Sequence, residues 1–194
     1  MRIKLATAVR YNNLAIALHW LCALLVLAAF TLGLYMVDLN VSPLKVKCFN
    51  WHKWIGVTVM AAATIRVIWR LSCSSPASLA GVPRWQLRAA NVMFFLLYFL
   101  LVTIPLTGWV YSSAAGYPVV YLGIKALRLP DLIGRNPELA TLLKEIHKVT
   151  NWTTLGLISI HVAAALKHHY WDRDLVLARM LPILSMRAVR RNRE

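Results

Sequence analysis

The stretch Lys144–Tyr170, KEIHKVTNWTTLGLISIHVAAALKHHY, decides how the rest of this 194-residue chain is read. Between Lys148 and Lys167 it has no charged residue. At about 1.5 Å rise per residue, such a run spans or nearly spans a hydrocarbon core ~30 Å thick. The same exclusion of charge recurs between Arg10 and Asp38 and between Arg88 and Lys125. A fourth run, WIGVTVMAAATIRVIWRL from Trp54 to Leu71, is interrupted only near its end, by Arg66 and Arg70. These runs predict four transmembrane helices over about 14–37, 51–69, 89–111 and 149–166, an all-α membrane protein folded as a four-helix bundle. One membrane domain, 1–194, is expected, with a long outer connection at 112–145 and a cytoplasmic tail at 167–194.

Composition agrees. The chain is 59% hydrophobic and has a mean hydropathy of +0.58, well above soluble usage. Its 22 Lys and Arg against 7 Asp and Glu would by themselves suggest a nucleic-acid partner. The cations flank the apolar runs instead of forming one solvated face, which disfavours nucleic acid. With four spans, the N-terminal tail, the second connection and the C-terminal tail share one side, and fourteen of the 22 cations lie there. That bias predicts both termini in the cytoplasm. A cleaved signal peptide is the competing reading of the first run, but the run is long and has no small-residue cleavage pattern, so the first helix is expected to be retained. The segment Leu175–Arg193, apolar residues mixed with Arg, reads as an interfacial tail drawn to anionic lipid.

The three cysteines, Cys22, Cys48 and Cys73, are poorly placed for a disulfide, and no C-x-x-C-H run is present for covalent haem attachment. The histidines carry more information. All six fall within or at the ends of the apolar runs, where ionisable groups are expensive and usually functional. His19 lies five residues inside the inner start of the first span, and His161 five residues before the inner end of the fourth. His52 and His147 both sit at outer starts, of the second and fourth spans. His147 and His161 are fourteen residues apart, nearly four turns, so they share one helix face about 21 Å apart along the axis.

Two pairs of neutral imidazoles on facing helices suit axial coordination of haem iron inside a bundle. Zinc fits worse, because neither level offers the four ligands, with Cys or carboxylate help, that it prefers. An isolated copper or a proton relay stays open, although a relay would more naturally include an Asp or Glu within the spans, and there is none. Gly33, Gly56, Gly108, Gly156 and the runs Ala61–Ala63 and Ala163–Ala165 offer clearance for a haem plane, and equally for plain helix packing.

With these residues in view, the chain resembles a known family. ALHW in the first run, WHKWIG opening the second with RVIWR at its end, LTGW late in the third, and KEIH followed by ISIHVAAALKHHY in the fourth are similar to bacterial cytochrome b561 proteins. The resemblance covers nearly the whole chain, and the third run lacks a His as it does in that family. It implies that His19, His52, His147 and His161 ligate two b-type haems, which agrees with the pairing by depth of His19 with His161 at the inner level and His52 with His147 at the outer one. It also implies electron transfer, with ubiquinone as exchangeable redox partner, and in characterised members superoxide oxidation at the outer face.

Two protein ligands on each iron leave no open position for oxygen, so electron transfer is favoured over oxygen activation. Lys53, Lys144 and Lys148, with Lys45, Lys47, Lys125 and Arg128, are candidates to steer an anion such as superoxide to the outer level, the alternative being lipid head groups or haem propionates. Arg66 is a candidate propionate clamp, while Arg70 suits snorkelling to the head groups. His168, seven residues beyond His161 and on the same face, is a candidate quinone contact; His169 points about 100° away. The rival reading is a haem-b membrane anchor that passes electrons between quinone and a partner dehydrogenase or hydrogenase. A haemless transporter or structural bundle would be colourless.

Overall fold

A computed structural model describes residues 10–73, 76 and 82–181. Four long helices carry it: α1 (Asn13–Asp38), α2 (Pro43–Ser72), α3 (Arg84–Ala114) and α4 (Pro137–Tyr170). All four are long and apolar enough to cross a membrane, and each expected span lies inside one of them. Below, "outer" and "inner" keep the sense set by the cation bias.

The helix starts follow local chemistry. Asn12 caps α1 by accepting from the Ala15 amide, at 2.8 Å, and Ser42 caps α2 ahead of Pro43. Asn136 accepts from the Leu139 amide at 3.0 Å, just before Pro137 and Glu138. A polar cap followed by proline is a strong start signal. It corrects the expected outer connection of 112–145. Ser112–Ala114 finish α3, and α4 begins at Pro137, so Lys144 and Glu145 stand on its exposed first turns. The remaining segment, 115–136, has two short 3-10 turns, Tyr121–Gly123 and Lys125–Leu127, and one antiparallel bridge between Val120 and Arg128.

The tail also begins later than expected, because α4 continues through Tyr170. Trp171–Leu181 then folds back, with a 3-10 turn at Leu177–Arg179, and the Trp20 indole of α1 donates to the Met180 carbonyl at 2.9 Å. The part of the expected interfacial tail beyond residue 181 lies outside the described residues.

Many of the buried positions on the helices are small residues, beside Ile16, Leu18, Met36, Val59 and Leu100. Cys22, Cys48, Ala62, Ala63 and Ser113 are buried, whereas Leu24, Leu27, Phe95 and Ile160 are exposed. That inversion is expected where lipid replaces water: the tails are as apolar as leucine, so close backbone approach drives packing. α1 packs on α2, α2 on α3 and α3 on α4. The first and last helices face each other through rings instead, with Phe30 against Trp152 at 5.4 Å. All three cysteines are free thiols.

Candidate functional site

The helices bring the four histidines together in the pairs expected from depth. His52 of α2 and His147 of α4 have ring centres 6.2 Å apart at the outer level. His19 of α1 and His161 of α4 are 6.4 Å apart at the inner level. Two imidazoles on opposite sides of one metal, each with a bond of about 2 Å and its ring centre roughly 1 Å further out, have centres ~6 Å apart. Both pairs fit that spacing. Each level offers two imidazole nitrogens and no carboxylate, and the Cys22 thiol at the inner level is engaged by Arg66, a set suited to a six-coordinate haem iron and poor for structural zinc.

At the outer level the rings are held by neutral groups. His52 Nδ1 donates to the Ala29 carbonyl at 3.0 Å. Thr107 gives its hydroxyl proton to the Ile104 carbonyl, 2.7 Å away, and so accepts from His147 Nδ1 at 3.1 Å. With the proton on Nδ1, each ring keeps its Nε2 lone pair for a metal. Pro105, inside α3, has no amide hydrogen to give the preceding turn. Two glycines make room for the rings. A Cβ on Gly33 would stand 3.2 Å from His52 Cε1, and one on Gly108 would stand 3.1 Å from His147 Cε1. At Gly56 and Gly156 a Cβ would meet nothing within 4 Å. Of the alanine runs, Ala62 and Ala63 are spent on helix packing, while Ala163 and Ala164 are exposed.

The inner level is charged and aromatic. The Arg66 guanidinium donates to His19 Nδ1 at 2.8 Å and lies over the Tyr98 ring, 5.1 Å from its centre. Arg70 sits over Phe94, and Phe94 is 6.2 Å from the His161 ring. Arg66 therefore points into the site, while Arg70 stacks one turn nearer the end of α2. His168 is bonded through Nδ1 to Asp174 at 2.6 Å, with Asp172 at 3.2 Å. His169 packs on Tyr170, away from that group.

The cations proposed for anion steering divide. Lys53 donates to the Pro118 carbonyl at 3.1 Å and Lys45 to the Leu39 carbonyl at 2.6 Å, so both tie down connections. Arg128 pairs with Asp131 at 2.9 Å. Lys148 is 3.8 Å from Glu145, and both it and Lys144 are exposed. Around the outer level, Trp54 donates to the Val120 carbonyl at 2.7 Å and Trp109 to the Pro130 carbonyl at 3.0 Å. Thr58 gives its proton to the Trp54 carbonyl, 2.9 Å away, and accepts from the Tyr121 hydroxyl at 2.8 Å. These latches hold the loop against α2 and α3.

Sequence reasoning missed Thr107, the Ala29 carbonyl and Asp174. Thr107 was visible beside Gly108 in LTGW, but a threonine in an apolar run carries no signal of its partner. Asp174 was visible six residues after His168, but its contact depends on a chain reversal that the spacing does not encode.

A four-helix membrane bundle that stacks two imidazole pairs along one axis has the architecture of a b-type cytochrome. The chain belongs to the prokaryotic cytochrome b561 family, whose model it matches over residues 10–182. It is 34% identical over 176 residues to cytochrome b561 homolog 2 of Escherichia coli (strain K12), covering 90% of this chain and 93% of that one. Its identity to cytochrome b561 homolog 1 of the same organism is 30% over 178 residues, covering 89% and 97%. It is also 26% identical over 178 residues, 89% and 96% of the two chains, to the probable superoxide oxidase CybB of Yersinia pestis. Family membership makes it a multi-pass protein of the bacterial inner membrane, in contact with lipid, with b-type haem and a role in transmembrane electron transfer.

Proposed function

We propose that the chain carries electrons between the two faces of the membrane through two b-type haems, taking them from superoxide at the periplasmic side and giving them to ubiquinone. In this reading His52 and His147 hold the outer haem, His19 and His161 the inner one, both termini are cytoplasmic, and residues 1–194 form one membrane domain. The observation that carries it is the two imidazole pairs, 6.2 and 6.4 Å apart, on ligands about 21 Å apart along α4. When bound, the haems supply one-electron carriers whose iron has no open position, which favours transfer over oxygen chemistry. The likeness to a protein named a probable superoxide oxidase supports the donor.

The chain's own residues do the rest. The Ala29 carbonyl and Thr107 fix the outer imidazoles so that Nε2 of each faces the metal position. An inner imidazole that binds iron through Nε2 keeps its proton on Nδ1 and has no lone pair there for Arg66. The guanidinium then needs an anion, and a haem propionate is the anion such a site provides. Lys144 and Lys148 stand at the outer end as steering charges, and Lys53 holds the loop at the Pro118 carbonyl. His168 is the quinone contact. Carrying an electron from the outer to the inner face works against an inside-negative potential and costs about 2.3 kcal/mol per charge per 100 mV, so the transfer stores energy in the membrane field.

Rapid mixing of the haem-loaded protein with superoxide, with and without ubiquinone, tests this reading. Haem reduction by superoxide followed by reoxidation on adding quinone is the expected result. A two-haem spectrum indifferent to superoxide would remove the donor and leave an electron-transfer module.

A further inference from the structure

The inner end of α4 does not simply stop. After Tyr170 the chain turns through Arg173, whose φ of 52° lies in the left-handed region that a bulky side chain seldom adopts. The turn is held by amides of Trp171 and Asp172, both donating to the Lys167 carbonyl, and by the Asp174 amide donating to the His168 carbonyl at 3.0 Å. Its result is to bring Asp174 back against the residue six positions earlier. One Asp174 carboxylate oxygen is 2.6 Å from His168 Nδ1, and the other accepts from the Val176 amide at 2.9 Å. Both side chains are largely shielded, at 19% and 22% exposure. Asp172 lies 3.2 Å from the same nitrogen and is paired with Lys167 at 2.6 Å. Beyond this turn the chain crosses to α1, where Trp20, next to His19, holds the Met180 carbonyl. His168 thus stands about 10 Å beyond His161 on the same helix face, above a floor closed by the returning chain.

A carboxylate on Nδ1 fixes an imidazole's orientation, with Nε2 directed away from the carboxylate. Nε2 of His168 has no bonded partner among the described residues. We propose that Asp174 is a positioning residue that makes His168 the proton donor to a lipid-soluble quinone at the inner end of the bundle. This rests on the quinone reading given above. Reduction of a quinone to a quinol takes two electrons and two protons. Bound b-type haems, held by the two histidine pairs, would supply the two electrons, one each. The proton leaves His168 Nε2 for a quinone oxygen, an O–H bond forming as the N–H bond breaks. The neutral ring stays bonded to Asp174 and takes its next proton from cytoplasmic water. The same cycle delivers the second proton.

The test uses haem-loaded protein, chemically pre-reduced, mixed rapidly with a short-chain ubiquinone analogue or with ferricyanide, which accepts an electron and no proton. Reoxidation is followed in the haem spectrum. Asp174→Asn is expected to slow reoxidation by saturating quinone at least tenfold, with the half-saturating quinone concentration within twofold of the original protein and the ferricyanide rate unchanged. Asp174→Glu is expected to restore most of the quinone rate, and the double variant Asp174→Asn with His168→Gln to be no slower than His168→Gln alone. An Asp174→Asn protein reoxidised by quinone at the original rate overturns the proposal, as does equal slowing with ferricyanide or a failure of Asp174→Glu to restore the rate. If the unaltered protein reacts with ferricyanide but not with quinone, the quinone reading falls, and the donor role with it.

Discussion

The outer and inner histidine pairs use the same residue type at nearly the same spacing, 6.2 and 6.4 Å, yet their surroundings differ in kind. The outer rings are set by a carbonyl and a hydroxyl, framed by two glycines, and enclosed by indole-to-carbonyl latches from the loop. The inner rings lie beside two guanidiniums and three aromatic rings, and the His168–Asp174 pair stands below them. The difference matches the two half-reactions proposed for the two ends. Superoxide gives up an electron and leaves as dioxygen without any proton moving, so the outer end needs shape and rigidity. A quinone takes protons with its electrons, so the inner end needs charge and acid–base groups.

The largest effect that separates the two levels comes from deleting one ligand. His52→Ala is expected to lower the haem content from two per chain to one and to leave the spectrum of the inner haem in place; haem extraction and reduced-minus-oxidised spectra measure both. Loss of both haems would mean that the two levels form a single cooperative unit, and the comparison between them would break there.

Next in size is the framing by glycine. A Cβ at Gly108 must push into His147, whose Nδ1 is held by Thr107. Gly108→Ala is therefore expected to cost about 1–3 kcal/mol of overpacking and to weaken retention of the outer haem. Gly56→Ala meets open space and is expected to change neither. Thermal release of haem from the two variants, followed side by side, checks the contrast. An equal response would show that the clearance at Gly108 is not what seats the ring.

The inner level answers to charge. Arg66→Gln removes a positive group beside His19, and a cation there favours the reduced, less positive iron. The inner midpoint potential is expected to fall by about 59 mV, a tenfold change for one electron, while the outer potential holds. A potentiometric titration resolves the two. A shift shared equally by both haems would mean that Arg66 acts through the fold.

The fold was legible because a bilayer punishes charge so strongly that four charge-free runs had few alternative explanations. The histidine pairing was legible for a related reason: a straight helix converts residue number into depth, so His19 could be matched with His161, and His52 with His147, from position alone. The expected outer connection runs nine residues beyond its observed end at Asn136. Lys144 and Glu145 read as loop charges, whereas Asn136 and Pro137 start a helix that rises beyond the apolar part. What the sequence left hidden depends on the chain coming back on itself. Asp174 reaches His168 only through the left-handed Arg173, and Lys53 finds the Pro118 carbonyl sixty-five residues away. No periodicity records such contacts.

The smallest expected effect concerns the outer lysines, and it sharpens what that end of the molecule does with its charge. Lys45 and Lys53 bind backbone carbonyls, so their substitution acts on the connections they tie down and should be insensitive to salt. Lys144 and Lys148 are exposed, and the loose 3.8 Å contact of Lys148 with Glu145 is worth little and cancels part of its field. If these two steer an anion, Lys144→Glu with Lys148→Glu lowers the second-order rate with superoxide by up to about tenfold at low ionic strength. The loss should vanish once the screening length is shorter than the distance to the outer level, near 3 Å at 1 M salt. Lys53→Gln makes the opposite signature, a change of rate that salt leaves alone. Stopped-flow rates for both variants across a salt series separate field from scaffold. A double variant that matches the original protein at every ionic strength would assign the outer end to shape alone.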